Sequence, residues 1–164
     1  LGTAKVLAAA IARSEPDLVL AGTESSDGYT GTVPEQVAEL MGLPSITFAK
    51  SIEIDGGNAK VQRQTEAGYD DVECPLPALV SVTAGVVEPR YPSFKGIMAA
   101  KSKPVDELGI ADLGVDADSV GWAGGGQEIV EIADAPAREA GEVIEDEGDA
   151  HERIVAFLDE LKVL

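Results

Sequence analysis

A turn with the composition of an anion cradle runs from Gly22 to Thr32, reading Gly-Thr-Glu-Ser-Ser-Asp-Gly-Tyr-Thr-Gly-Thr. Where such a turn opens a helix, free backbone N–H groups and the positive end of the helix dipole favour a phosphate. The candidate donors are the Thr30 and Thr32 hydroxyls with the N–H groups of Gly31, Thr32 and Val33, while Gly28, after Asp27, and Gly31 let the backbone come close. The spacing matches neither the dinucleotide fingerprint nor a P-loop. On residue types alone two readings stand: a phosphate site, or a helix start capped by Thr30 or Thr32.

A second segment speaks of recognition rather than bond-making. Between Arg90 and Lys103 lie four cations, Arg90, Lys95, Lys101 and Lys103, and no acid. A proline-framed stretch that presents a large apolar group between cations can anchor a partner, since buried aromatics dominate interface energetics and flanking charge steers encounter. A solvated basic face is the plainer alternative. Elsewhere the chain offers no Ser-His-Asp set, no metal cluster and no base beside a nucleophile, so catalysis by this chain alone is not expected. His151 stands alone in an acidic stretch, and Cys74, the one cysteine, reads as a packing residue.

Thirty acids against 12 basic residues give a net charge of −18, which excludes a nucleic-acid groove as the main surface. Acids are spread over most of the chain and Lys is scarce, the pattern expected of a protein in a salt-rich cytoplasm where self-repulsion is screened. Stability indifferent to salt would remove that expectation. No apolar run approaches the roughly 18 residues of a membrane span, and the first dozen residues lack a secretory pattern. A cytoplasmic protein without membrane insertion is expected.

The elements that must position these segments follow from periodicity. Leu1, Ala4, Val6, Leu7, Ala10 and Ile11 form one apolar helical stripe, broken at Ser14-Glu15-Pro16. Asp17 to Gly22 reads as a short buried strand, and Thr32 to Met41 as a helix with Pro34 in its first turn and Gly42 at its end. From Ser45 the texture becomes β: Ile46 to Phe48, Ser51 to Ile54, the turn Asp55 to Asn58, and Lys60 to Gln64 in alternation. Tyr69 to Cys74 alternates again, and Ala78 to Val82 has the apolar continuity of a central strand. A mixed sheet is predicted. Beyond Pro89, Pro92 and Pro104 comes irregular chain with a short helix at Gly96–Ala100, the loop Trp122–Gly126, and a last amphipathic helix from Asp149 to Val163 bearing Ile154, Val155, Leu158 and Leu161. Residues 105–148 read as an extended arm unable to build a core alone.

The string Pro75-Leu76-Pro77-Ala78-Leu79-Val80-Ser81-Val82-Thr83, followed by Glu88-Pro89-Arg90-Tyr91-Pro92-Ser93-Phe94-Lys95-Gly96-Ile97-Met98-Ala99-Ala100-Lys101, resembles the signature of the electron transfer flavoprotein beta subunit. The Asp27-Gly28-Tyr29-Thr30-Gly31 turn, Ala111-Asp112-Leu113-Gly114-Val115 and the closing Ala140-Gly141-Glu142-Val143-Ile144 share the likeness, while the family's usual first third has no counterpart. The resemblance implies a Rossmann-like α/β fold, an adenine-nucleotide alpha-hydrolase-type sheet with helices on both faces plus an extended C-terminal arm. It divides the chain into a nucleotide-binding core at 1–104 with a docking loop at 88–103, and at 105–164 an arm and helix that contact an alpha subunit. It implies AMP held near Asp27, Gly28, Thr30, Gly31, Thr32 and Val33, with FAD in the heterodimer; a flavin-bifurcating relative would hold a second FAD in the AMP position. It also implies that Arg90, Tyr91, Pro92, Ser93, Phe94, Lys95, Ile97 and Met98 dock acyl-CoA or other dehydrogenases, Phe94 standing where the family commonly has Leu. Many relatives carry Gln where this chain has Thr32, and an acid where it has Tyr29. A nucleotide-binding α-hydrolase-like enzyme is the rival from another class, though the turn around Thr30 lacks a Lys or His for phosphoryl transfer.

Overall fold

The computed structural model describes residues 1–137, 141, 143, 145–146 and 148–163. Ala140, Glu142 and Ile144 of the closing pattern lie outside the described residues. Two compact units result, Leu1–Glu128 and Ile129–Leu164.

In the first unit, helix α1 (Gly2–Ala12) leads to strand β1 (Leu18–Gly22), helix α2 (Val33–Met41) and strands β2 (Ser45–Asp55), β3 (Asn58–Thr65), β4 (Gly68–Pro75) and β5 (Ala78–Val82). The sheet order is β1-β5-β2-β3-β4. β5 is parallel to both β1 and β2, whereas β2, β3 and β4 form an antiparallel meander. This is an α/β fold with a five-stranded mixed sheet and flanking helices.

The composition of each strand explains its place. β5 carries Ala78, Leu79, Val80 and Ser81, all buried, because it is covered on both faces. Val19 and Leu79 meet Ala4, Ala8, Val37 and Ala38, so α1 and α2 share one face of the parallel part. The other face of β5 joins the meander: Ala78 and Val80 cluster with Ile46, Ala59, Val61 and Cys74. Strict alternation in the meander sends these apolar groups inward and Glu53, Lys60, Asp71 and Glu73 outward. Cys74 is buried in this cluster, and burial pushes its thiol pKa up.

Two local features differ from the sequence expectation. The α1 stripe is divided: Ala4 and Ala8 are buried on the sheet, while Leu1 is 69% exposed. Small residues therefore set the close helix contact, Ile11 packs at its margin, and Leu1 and Leu7 stay exposed. In addition, β2 runs unbroken from Ser45 to Asp55, with Phe48 at φ 56° absorbing a register shift beside β5. The Phe48 N–H donates to the buried Ser81 Oγ at 3.1 Å, which fixes this uncommon backbone.

After β5, helix α3 spans Phe94–Ala100, two residues earlier than the periodicity places it. Two 3-10 turns, Ala111–Leu113 and Ala117–Ser119, precede the short helix α4 (Gly121–Gly124), where a loop was expected. This stretch is held on α1: Lys5 Nζ donates to the Ser119 carbonyl at 3.3 Å, Arg13 to the Asp112 carbonyl at 3.3 Å, and Val120 is buried. The second unit contains helix α5 (Ala150–Glu160), whose Ile154, Val155 and Phe157 are exposed. No described helix is long and apolar enough to cross a membrane.

Candidate functional site

β1 ends at Gly22 and the polar turn carries the chain to α2, so the turn stands at the carboxyl end of a parallel strand, where open α/β sheets bind ligands. A cleft of about 640 Å³ opens there. Of the predicted residues, Asp27, Gly28, Thr30, Gly31 and Val33 all line it. Thr32 does not; it is the N-cap residue of α2, and its hydroxyl accepts a hydrogen bond from Gln36 Nε2 at 3.1 Å.

The capping alternative can now be examined in detail. No side chain caps α2, and Pro34 occupies its first turn, where a missing N–H is harmless. Val33, Pro34 and Val37 of the helix line the cleft. Gly31 takes φ +61°, a left-handed conformation that L side chains rarely adopt, and a Cβ there would lie 3.4 Å from Glu24 Oε2. Tyr29 also has positive φ, at 48°, and is 67% exposed.

The electrostatics of the cleft are one-sided. Asp27 Oδ1 accepts from the Gly28 N–H at 2.8 Å, and its pKa is lowered chiefly by the Ser25 hydrogen bond, then by backbone N–H groups. Glu24 supplies a second carboxylate, while no Lys or Arg stands among the described residues that line the cleft. Between Arg13 and Lys50 the sequence has no cation. An anion in this cleft would be held by backbone N–H groups and hydroxyls, a setting that suits one phosphate better than a chain of two or three.

Sequence reasoning missed the remaining walls. Thr3, Leu7 and Ile11 of α1, with Val19 and Leu79, form the apolar side of the cleft. Only Leu7 and Ile11 carried a signal, as large members of the α1 stripe. Glu24 and Ser25 lay within the turn but had no motif to mark them.

The second predicted segment lies on the opposite side of β5 in sequence and is wholly exposed. Ser93 caps α3, its Oγ accepting from the Gly96 N–H at 3.1 Å. α3 buries none of its residues: Phe94 is 80% exposed, Ile97 45% and Met98 51%, and Tyr91 is 99% exposed. Arg90, Pro92 and Lys95 are exposed as well. Phe94 is thus not folded into the core of its own unit. These residues form one continuous exposed stretch that carries both apolar groups and cations.

A five-stranded mixed sheet with flanking helices and a cleft at the carboxyl end of β1 defines an α/β domain by its architecture. Comparison with known proteins is more specific. The electron transfer flavoprotein domain model matches residues 1–113, and the chain belongs to that family. It is 46% identical over 148 residues to the electron transfer flavoprotein subunit beta of Mycobacterium leprae, covering 90% of this chain and 56% of that protein. The corresponding subunit of Bacillus subtilis is 37% identical over 152 residues, 92% of this chain and 58% of the relative. That of Megasphaera elsdenii is 33% identical over 151 residues, 92% and 56%. The chain is a homologue of the beta subunit that spans little more than half the length of these relatives.

Proposed function

We propose that this chain is the nucleotide-holding and partner-docking part of an electron transfer flavoprotein beta subunit, working in the cytoplasm. AMP occupies the cleft at the end of β1, its phosphate held by the turn Asp27 to Val33 and by the Thr30 hydroxyl. An alpha subunit supplies most of the FAD site, and the electrons of the complex travel on that FAD. The observation that carries this reading is the cleft: it sits at a strand's carboxyl end, its helix is uncapped by any side chain, and it has no cation suited to a polyphosphate. The Phe94 projection docks acyl-CoA or other dehydrogenases, the exposed ring entering a partner pocket and Arg90, Lys95, Lys101 and Lys103 steering encounter with an acidic face. The arm and helix within residues 105–164 contact the alpha subunit.

The test is co-purification of the gene product with its alpha-type partner, followed by denaturation and mass analysis of the released ligands. One FAD and one AMP per complex is the expected result. Two FADs would place a flavin in the cleft and move the protein to the bifurcating branch, while a turned-over nucleotide and no flavin partner would favour an α-hydrolase-like enzyme.

A further inference from the structure

β2 departs from regular pairing twice in close succession. Against β5, Ile46 lies opposite Val80 and Ala49 opposite Val82, so Thr47 and Phe48 together face Ser81. Against β3, Ala49 lies opposite Arg63 and Ser51 opposite Gln62, which leaves Lys50 without a partner on that strand. Irregularities of this kind bend a strand, re-aim its side chains and gather beside functional sites. Among the described residues, Phe48 is also the one non-glycine within a strand that has positive φ, at 56°. A bulky residue keeps that strained backbone only where its surroundings hold it. The hold is a set of hydroxyls: Ser81 Oγ, 1% exposed, accepts from the Phe48 N–H at 3.1 Å, and the Ala49 carbonyl accepts from the Thr83 N–H at 3.0 Å and the Thr83 hydroxyl at 3.1 Å. Phe48 nonetheless stays 40% exposed, and Lys50 Nζ comes to rest beside Gly85, where a Cβ would lie 3.7 Å from it.

We propose that Phe48 and Lys50 form a second, rigid contact of the docking surface, meeting the acidic face of the same dehydrogenase that Phe94 engages. This inference rests on the docking role proposed above for residues 88–103. The occupant follows from continuity and charge. Gly85 stands at the root of the exposed stretch, and in a chain with 12 basic against 30 acidic residues Lys50 is set against a segment that has four cations and no acid between Arg90 and Lys103. α3 buries none of its residues, so the stretch alone cannot fix the orientation of a partner. A ring and an ammonium group carried on the sheet can, because hydroxyls of β5 and its end hold their backbone in place.

The test uses the co-purified complex with its alpha-type partner and takes an acyl-CoA dehydrogenase as the probe. Lys50→Glu should raise the KM for the dehydrogenase about tenfold at low salt with kcat unchanged, and the gap should shrink as salt is added. Phe48→Asn removes the ring but keeps a residue that tolerates the left-handed backbone, and it should raise KM about tenfold with circular dichroism unchanged. Lys60→Met, on the outward face of the hairpin, should leave KM as it is. Phe94→Ala separates the two readings. If it impairs docking while Lys50→Glu and Phe48→Asn dock as the parent does, this inference alone is overturned. If Phe94→Ala docks normally, the docking reading falls and takes this inference with it. A Lys50→Glu chain that no longer co-purifies with the alpha-type partner also overturns the proposal, because it assigns this contact to the alpha subunit.

Discussion

The two edges of the sheet are built to opposite specifications. β4 offers Tyr69, Asp70, Asp71 and Glu73 to solvent, so a foreign strand would have to bury carboxylates to pair with it. Its charges also fix its own register, since Glu73 lies opposite Lys60 and Asp70 opposite Arg63. β1 carries no charge at all. One edge is finished and the other invites pairing, and the candidate nucleotide cleft lies beside the inviting one. The lesson is that an edge's composition reveals whether a sheet ends there, even when its position in the strand order does not.

The sharpest way to break the comparison is to weaken β5, the strand that joins the two halves. Leu79 is 1% exposed and packs β5 against both helices. Leu79→Ala should cost about 2–5 kcal/mol, read as a loss of denaturant midpoint at unchanged slope. If the antiparallel meander stayed folded by circular dichroism while α1 and α2 melted, the sheet would be two independent halves and the edges would not belong to one cooperative unit. Next in size is a change that makes the edges alike. Asp71→Val with Glu73→Val removes both outward carboxylates of β4 and leaves Asp70 as the one charge on that strand; the fold should stay within about 0.5 kcal/mol per surface site, but sedimentation should show self-association that the parent chain lacks at β4.

A third, smaller effect concerns the whole surface. With a net charge of −18, self-repulsion acts over about 10 Å at 0.1 M salt and about 3 Å at 1 M. The melting temperature should therefore rise by a few degrees between 0.1 and 1 M KCl. The β4 double variant, having lost two of the carboxylates, should rise less. A flat response in the parent would remove the reading of adaptation to a salt-rich cytoplasm.

Much of this architecture was legible in the residues. The apolar continuity of β1 and β5 and the alternation of β3 and β4 locate four strands, with ends that differ by at most two residues at the start of β3, because burial on two faces or on one leaves different periods. Gly42, in the left-handed conformation, ends α2 where the sequence places the stop. The turn at Asp27 to Gly31 was also legible, since glycines and hydroxyls cluster there for a local reason. What could not be read depended on distant partners. The division of the α1 stripe is set by how closely Ala4 and Ala8 approach the sheet, and no rule of period says which of two apolar sets will win. Likewise Lys5 and Arg13 hold residues 112 and 119 through backbone carbonyls, which every residue possesses and no residue type advertises.

The finest test lies on the outward face of the finished edge. Lys60 meets Asp55 at 2.6 Å and stands between Glu53 and Glu73 on the neighbouring strands. Its pKa is raised from 10.5, first by the Asp55 hydrogen bond and then by Glu73 and Glu53. Because the folded value is the higher one, the contribution to stability is complete below the unfolded pKa and is lost as pH rises through the folded pKa. Lys60→Met should thus melt slightly below the parent at pH 8, with the two curves converging above pH 10.5. Both partners are exposed, so the gap should be small and should shrink in salt. Asp55→Asn should close most of it, since Asp55 is the largest cause. If Asp55→Asn left the gap whole while removal of Glu73 closed it, the cross-strand charges of β4, rather than the pair at the hairpin turn, would be what holds Lys60 and finishes this edge.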